Sequence, residues 1–321
     1  MTDRGPPGAA AGTAGFVPVA VTERSGFRES VHHGVVVALG RDGSVAWSAG
    51  DPDVVFYPRS SLKPLQAASM VAAGLDLDDR LLATVCASHD GRPEHVAAVA
   101  EILASVGLDR DDLRNTPTLP LDPDASLAAV RAGESPSSIA QNCSGKHAGM
   151  LATAVVNGWP TTGYVAVDHP VQLRILDDLR RDVGAIEHVG VDGCGAPAAT
   201  VALTRLAGAV RRLAVDGHPV HRAMTRYPEM VGGPTRDVTR LMRLVPGLLV
   251  KDGAEGVQVA ALPDGRAVAV KVADGAARAR VPVTIAALRA LDVDVAADAI
   301  VEAILGHGEP VGRVCSLVGR P

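Results

Sequence analysis

Two strand–turn–strand signatures stand near opposite ends of the chain, and the stretch between them is punctuated like a row of helices. The first runs through 34–39, turns at Gly40-Arg41-Asp42-Gly43 and returns through 44–49. The second runs through 256–262, turns at Pro263-Asp264-Gly265-Arg266 and returns through 267–272. Each pairs apolar β-formers around a Gly/Asp turn, the mark of a hairpin. Between them, helical periodicity predicts helices over 62–73, 95–106, 125–132, 146–157, 171–182, 198–215 and 234–244. Gly74, Gly107, Gly133, Gly158 and Gly184 close several of these, and Pro170 and Pro197 open others. A weakly alternating strand is expected at 17–21, with terminal helices at 284–290 and 295–305. Strand pairs remote in sequence can share one antiparallel sheet with the helical stretch inserted, which is an α+β layout. The expected organisation is a frayed tail over 1–15 and a single domain over 16–321. Within it a sheet subdomain comes from about 16–60 and 246–321, and a helical one from about 61–245.

A chain of 321 residues buries a sizeable core, and 47% hydrophobic content argues for a globular protein. Only 2% of residues are aromatic, so the core must be built from Ala, Val, Leu and Ile. So few rings argue against a base-stacking or sugar-stacking surface. A net charge of −5, with the charges interspersed, lacks the basic footprint of a nucleic-acid binder. The tail has no basic region followed by an apolar one, and no run of about 18 apolar residues suggests a membrane span. Cys86, Cys143, Cys194 and Cys315 form no C-x-x-C pair and no dense disulfide framework. The expectation is a cytoplasmic protein with reduced thiols and no nucleic-acid or membrane partner.

Lysine is scarce: only Lys63, Lys146, Lys251 and Lys271 appear among 31 basic residues. Arginine stays charged, whereas a desolvated lysine can lose its proton and act as a base or a metal ligand. Three of the four lysines fall in segments that read as chemistry. Ser60-Ser61-Leu62-Lys63 is an S-x-x-K tetrad at the expected start of a helix, with both side chains on one face. There the helix dipole favours a developing alkoxide, and a neutral Lys63 amine can take the Ser60 proton. Ser88, in Ala87-Ser88-His89-Asp90, can relay a proton to a leaving group. Lys251, in Lys251-Asp252-Gly253, can hold a substrate carboxylate or depress a serine pKa, while Gly253 permits a close backbone approach. The plainer alternatives are two helix caps and a strand-end lysine. Two serines and two lysines in this order match the serine acyl-enzyme design of β-lactamases and penicillin-binding proteins, with K-D-G here for K-T-G and Ser-His-Asp for Ser-Asp-Asn.

Asn142-Cys143-Ser144-Gly145-Lys146-His147 and Asp192-Gly193-Cys194-Gly195-Ala196-Pro197 each precede an expected helix. Two cysteines and a nitrogen donor can hold Zn²⁺ with a fourth position open. His147, the usual donor type, competes with Lys146 for the third place. Two buried thiols, or a glycine-rich loop with a reactive cysteine, are the alternatives.

Taken together with Tyr57-Pro58-Arg59-Ser60-Ser61-Leu62-Lys63-Pro64 and Lys251-Asp252-Gly253-Ala254-Glu255-Gly256-Val257, these five ordered motifs make the chain resemble the Rhizobium etli inducible-type L-asparaginases from about residue 17 to 310. The resemblance implies a serine β-lactamase- and glutaminase-like fold, a homodimer, and hydrolysis of L-asparagine to L-aspartate and ammonia. It implies Ser60 as nucleophile, Lys63 as base, and Ser88 with Lys251 as a supporting pair, Lys271 being the fallback for Lys251. It implies zinc held by Cys143, Lys146 and Cys194, which places Lys146 ahead of His147. Arg59, His89 and Asp192 fall in the same motifs as expected substrate-binding residues, Asp192 lying near the metal or on the substrate. Another serine acyl-enzyme hydrolase, of β-lactamase, peptidase or esterase type, is the first rival. A zinc-dependent binding protein without turnover and a Cys194 hydrolase are further ones.

Overall fold

The computed structural model describes residues 15–296 and 300–319; the expected tail, 1–14, lies outside them. Eight antiparallel strands form the main sheet: β1 (Val17–Arg24), β2 (Phe27–Leu39), β3 (Val45–Ala49), β4 (Leu249–Gly253), β5 (Val257–Ala261), β6 (Ala267–Val272), β7 (Ala303–Gly306) and β8 (Glu309–Ser316). Their order is β7-β8-β1-β2-β6-β5-β4. β2 is long enough to divide one edge between β1, along its first half, and β3, along its second. Its other edge pairs with β6, and this contact joins the two sequence-distant hairpins into one sheet.

Every residue from Gly34 to Leu39, and every residue of β4 and β5, is buried. Burial of consecutive residues needs cover on both faces of a sheet. Helices Leu203–Val215 and Arg280–Ala290 both pack against it. The remaining helices, from Lys63–Ala72 to Asp237–Leu244, come from the segment between β3 and β4. The architecture is α+β, and small aliphatic side chains fill the core as the composition requires. Among the described residues, no helix is long and apolar enough to cross a membrane.

Three sequence expectations are corrected. The helix expected over 198–215 begins only at Leu203; Pro197–Ala199 and Val201–Ala202 are short strands pairing with Val189–Val191 and Val55–Phe56. Alanine-rich sequence favours helix locally, and partners supplied by remote segments override it. The helix expected over 295–305 ends in strand β7, with 297–299 outside the described residues. Lys251 was expected just before the late strand pair, but it lies inside β4, which forms a hairpin with β5 through Ala254-Glu255-Gly256.

Candidate active site

Pro58 leads into a single 3-10 turn, Arg59–Leu62, and the helix begins at Lys63, later than the sequence suggests. The Lys63 N–H donates to the Ser60 carbonyl, and the buried Ser61 hydroxyl donates to the Pro58 carbonyl at 2.8 Å. Arg59 enters this turn with φ of +55°, a left-handed conformation that is strained for a long side chain. The end of β4 presses against the turn: a Cβ on Gly253 would lie 2.3 Å from the Pro58 carbonyl oxygen. Gly253 therefore serves a close backbone contact with the serine turn itself. Ser60 is half-buried, whereas Lys63 is buried.

Neither serine is a helix cap. The helices concerned are capped by Leu62 and Arg92, and neither makes a side-chain capping bond. Ser88 follows helix Asp79–Val85 and is fixed through backbone bonds from its own N–H to the Val231 carbonyl (2.9 Å) and from the His89 N–H to the Asn142 carbonyl (3.2 Å). Two buried amines meet at its hydroxyl. Lys63 Nζ lies 3.1 Å from Ser88 Oγ and also donates to the Ala87 carbonyl. Lys251 Nζ lies 2.9 Å from the same oxygen. The structure thus brings Lys63, Ser88 and Lys251 together; the Ser60 hydroxyl, one turn away, is not among the hydrogen-bond partners of Lys63. Lys271 is elsewhere, donating to the Glu255 and Val272 carbonyls.

Lys251 spends its other two donors on Asp252, whose carbonyl it meets at 2.8 Å and whose Oδ1 it also contacts. Burial drives the Lys251 pKa down to about 8, against the pull of Asp252. Asp252 is a residue that sequence reasoning missed. Its other oxygen takes Arg236 at 2.9 Å and Arg280 at 3.4 Å, and Arg280 continues to Asp237 at 3.0 Å. Burial alone would raise the Asp252 pKa, but Lys251, Arg236 and Arg280 hold it well below the carboxylate range. The one sequence signal was its adjacency to a scarce lysine.

The second cluster joins the head of helix Ser144–Val156 to the loop after Val191. Gly145 lets this helix meet helix Asp79–Val85, since a Cβ there would lie 2.1 Å from the Thr84 carbonyl oxygen. Cys143, Lys146 and Cys194 are all buried. Lys146 Nζ lies 3.2 Å from Cys194 Sγ, and Cys194 hydrogen-bonds Cys143. That shared proton, aided by Lys63 and Lys146 and opposed by burial, drives the Cys143 thiol well below its ordinary value. The same proton and burial push Cys194 up. Burial works to lower the Lys146 pKa, but the two sulfurs and Asp192 outweigh it and raise it. Among the described residues, no group of three or more His, Cys, Asp or Glu side chains is arranged for a metal. The donors brought together at this place are two sulfurs and an amine, with Asn142 Oδ1 3.1 Å from Cys143 Sγ.

Asp192 joins the two clusters. Its Oδ1 accepts Arg59 Nε at 2.7 Å and Nη2 at 2.6 Å, so the left-handed residue before Ser60 is anchored beside the cysteines. His89 is buried, and its hydrogen bonds define its tautomer. Nδ1 accepts from the Gly91 N–H, while the Ser144 hydroxyl donates to the Ile139 carbonyl, so His89 Nε2–H donates to Ser144 Oγ. Both ring nitrogens are engaged within the protein, and burial, then His95 and Lys63, drive its pKa well below the usual histidine value. In His147 the Nδ1 lies 2.9 Å from the Tyr164 hydroxyl.

The structure thus sets a buried Ser–Lys–Lys cluster near a half-buried serine. The L-asparaginase II family profile matches residues 20–315, and the chain belongs to that family. Membership makes it an amidohydrolase acting on a small molecule. No match was found among curated proteins. Solved structures similar to the chain include a β-lactamase from Mycobacterium bovis (15% identity, 80% of this chain and 93% of that one, TM-score 0.38). A putative β-lactamase from Bacteroides dorei DSM 17855 has 14% identity over 75% and 87%, with TM-score 0.42. The protein Mglu in its glutamate form has 15% identity over 81% of this chain and 60% of its own length, with TM-score 0.43.

Proposed function

We propose that the chain is an L-asparaginase that hydrolyses L-asparagine to L-aspartate and ammonia through an acyl-enzyme on Ser60. The observation that carries the reading is the meeting of Lys63 and Lys251 on Ser88 Oγ, with Lys63 itself one turn along the chain from Ser60. Lys63 takes the Ser60 proton. Ser60 Oγ attacks the side-chain amide carbon, the C–N bond breaks, and ammonia leaves with a proton passed through Ser88. Water then cleaves the β-aspartyl ester. Lys251, with its three donors committed, is an ammonium that can resupply the relay. The Arg59–Asp192 pair matches an amino acid zwitterion, the arginine suiting the α-carboxylate and the aspartate the α-ammonium.

Cys143, Lys146 and Cys194 would hold a zinc ion, and the fit rests on two buried sulfurs sharing one proton beside an amine. When bound, zinc would supply a Lewis-acid contact that positions the substrate. Homodimeric assembly and a cytoplasmic setting belong to the same proposal; sedimentation velocity checks the first.

The test is ammonia release from asparagine by the unaltered enzyme and by Ser60→Ala. Loss of release with folding intact is expected; full activity in the variant refutes the scheme. A second reading, Ser88 as nucleophile, is favoured by its two amine contacts. It is opposed by access, since Ser88 is 4% exposed and Ser60 half-buried. An acyl adduct located by peptide mass mapping separates the two. Turnover of a chromogenic β-lactam but not of asparagine would place the chain with other serine hydrolases.

A further inference from the structure

Lys251 is buried completely, yet its amine faces three acceptors: Ser88 Oγ, the Asp252 carbonyl and Asp252 Oδ1. A neutral amine has two N–H donors and an ammonium has three, so this geometry fits the charged form. A fully buried ammonium needs an anion in contact. The groups that bear on it are Lys63 from the start of helix Lys63–Ala72, Cys86 from the end of helix Asp79–Val85, Asp252 on its own strand, and Arg236 from the segment before helix Asp237–Leu244. Arg280, with its partner Asp237, stands behind Asp252. Among the described residues, Asp252 is the one anion in contact with Lys251. Its carboxylate is divided, with one oxygen on Lys251 and the other on Arg236 and Arg280.

We propose that Asp252 is a positioning residue that keeps Lys251 an ammonium aimed at Ser88, and that Arg236 is the counterweight limiting how firmly it does so. Asp252 touches no reacting atom; it acts through Lys251 on the proton relay. This rests on the serine–lysine reading of the site. Weakening the two competitors in turn should move Lys251 in opposite directions. Removing the carboxylate strips the ammonium of its anion. Removing Arg236, which is 28% exposed in its side chain, leaves more of the carboxylate for Lys251 without vacating the core.

The scarcity of lysine makes the titration directly visible, because a protein labelled with ¹³C at lysine Cε gives four ε-methylene signals. The Lys251 signal is the one absent from Lys251→Met. Arg236→Gln is expected to raise its titration midpoint and Asp252→Asn to lower it, by roughly one unit or more for a contacting charge. The high-pH limb of kcat/KM for ammonia release should move the same way. If Asp252→Asn does not fold, Arg236→Gln alone decides: an unmoved or lowered midpoint overturns the proposal. A wild-type chain that fails to release ammonia sinks the asparaginase reading instead, and the lysine titration still stands or falls by itself.

Discussion

Gly253→Ala puts the smallest possible side chain where β4 touches the serine turn. The new Cβ would lie 2.3 Å from the Pro58 carbonyl oxygen and 3.1 Å from Val257 Cβ. Ordinary contact begins near 3.4 Å, so strand and turn must separate by about 1 Å. Neither partner is a flexible side-chain tip. Pro58 is the last residue before the Ser60 turn, and β4, though the end strand of the sheet, is buried along its whole length. Overpacking of this kind costs about 1–3 kcal/mol, which in a chain of this size lowers the melting temperature by only a few degrees. Activity should suffer more. A shift of about 1 Å between Ser60 and Lys251 spoils the geometry on which the relay depends, and such misplacement costs roughly 100-fold in rate. The assay pairs kcat for ammonia release with a thermal melt. A variant that keeps both wild-type kcat and melting temperature refutes the reasoning. A variant that loses stability but keeps kcat shows that the Gly253 contact does not position the nucleophile.

Ser88→Ala removes the oxygen shared by two amines and should lower kcat by about 10²–10⁴, the usual range for a lost proton-transfer group; a loss below tenfold would exclude the relay. Cys143→Ala and Cys194→Ala should each abolish zinc retention through dialysis, measured by elemental mass spectrometry, and zinc in one-to-one ratio in either variant would disprove the site. Gly145→Ala forces a Cβ to 2.1 Å from the Thr84 carbonyl oxygen and should lower the melting temperature more than Gly253→Ala does; an unchanged melt would show that the two helices slide freely. His89 is held neutral below its ordinary value of 6.5. In that window the unfolded chain binds the extra proton, so stability is complete above pH 6.5 and falls as pH drops. The slope is about 1.4 kcal/mol per unit for this one group. Urea midpoints measured from pH 7 down to pH 5 should decline, and His89→Gln should decline less steeply; equal slopes would contradict a buried neutral imidazole.

The parts of the fold legible in the sequence were those with short-range causes. The hairpin at Asp42-Gly43 and the one at Asp264-Gly265 carry their own turn chemistry, and helices such as Ser144–Val156 and Pro170–Val183 carry their own periodicity. Strand β8 was not legible: Glu309–Ser316 contains Pro and Gly, is half-exposed, and is ordered by pairing with β1 across nearly the whole chain. The site divides in the same way. Ser60, Lys63, Ser88, Cys143, Lys146, Cys194 and Lys251 stand in short local motifs. Arg236 and Arg280 stand in none, because their role is created by Asp252, a residue brought to them by the sheet.

The three buried lysines stand among different anions. Lys146 lies among Cys143, Cys194 and Asp192, all of which favour its charged form. Lys251 has Asp252 in contact. Lys63, among the described residues, forms no ion pair with a carboxylate; it donates to a backbone carbonyl and the Ser88 hydroxyl and lies beside the Cys143 sulfur. Lys63 and Lys251 therefore face one another across a single hydroxyl. In the proposed scheme Lys63 takes the Ser60 proton, Ser88 passes a proton to the departing ammonia, and Lys251 resupplies Ser88. If that ordering holds, Lys251→Met should slow departure of ammonia, and Lys63→Met should prevent attack by Ser60. A slow acylation burst with [¹⁵N-amide]asparagine in the first variant and none in the second is the expected pair of results. A full burst with Lys63→Met would reverse the assignment.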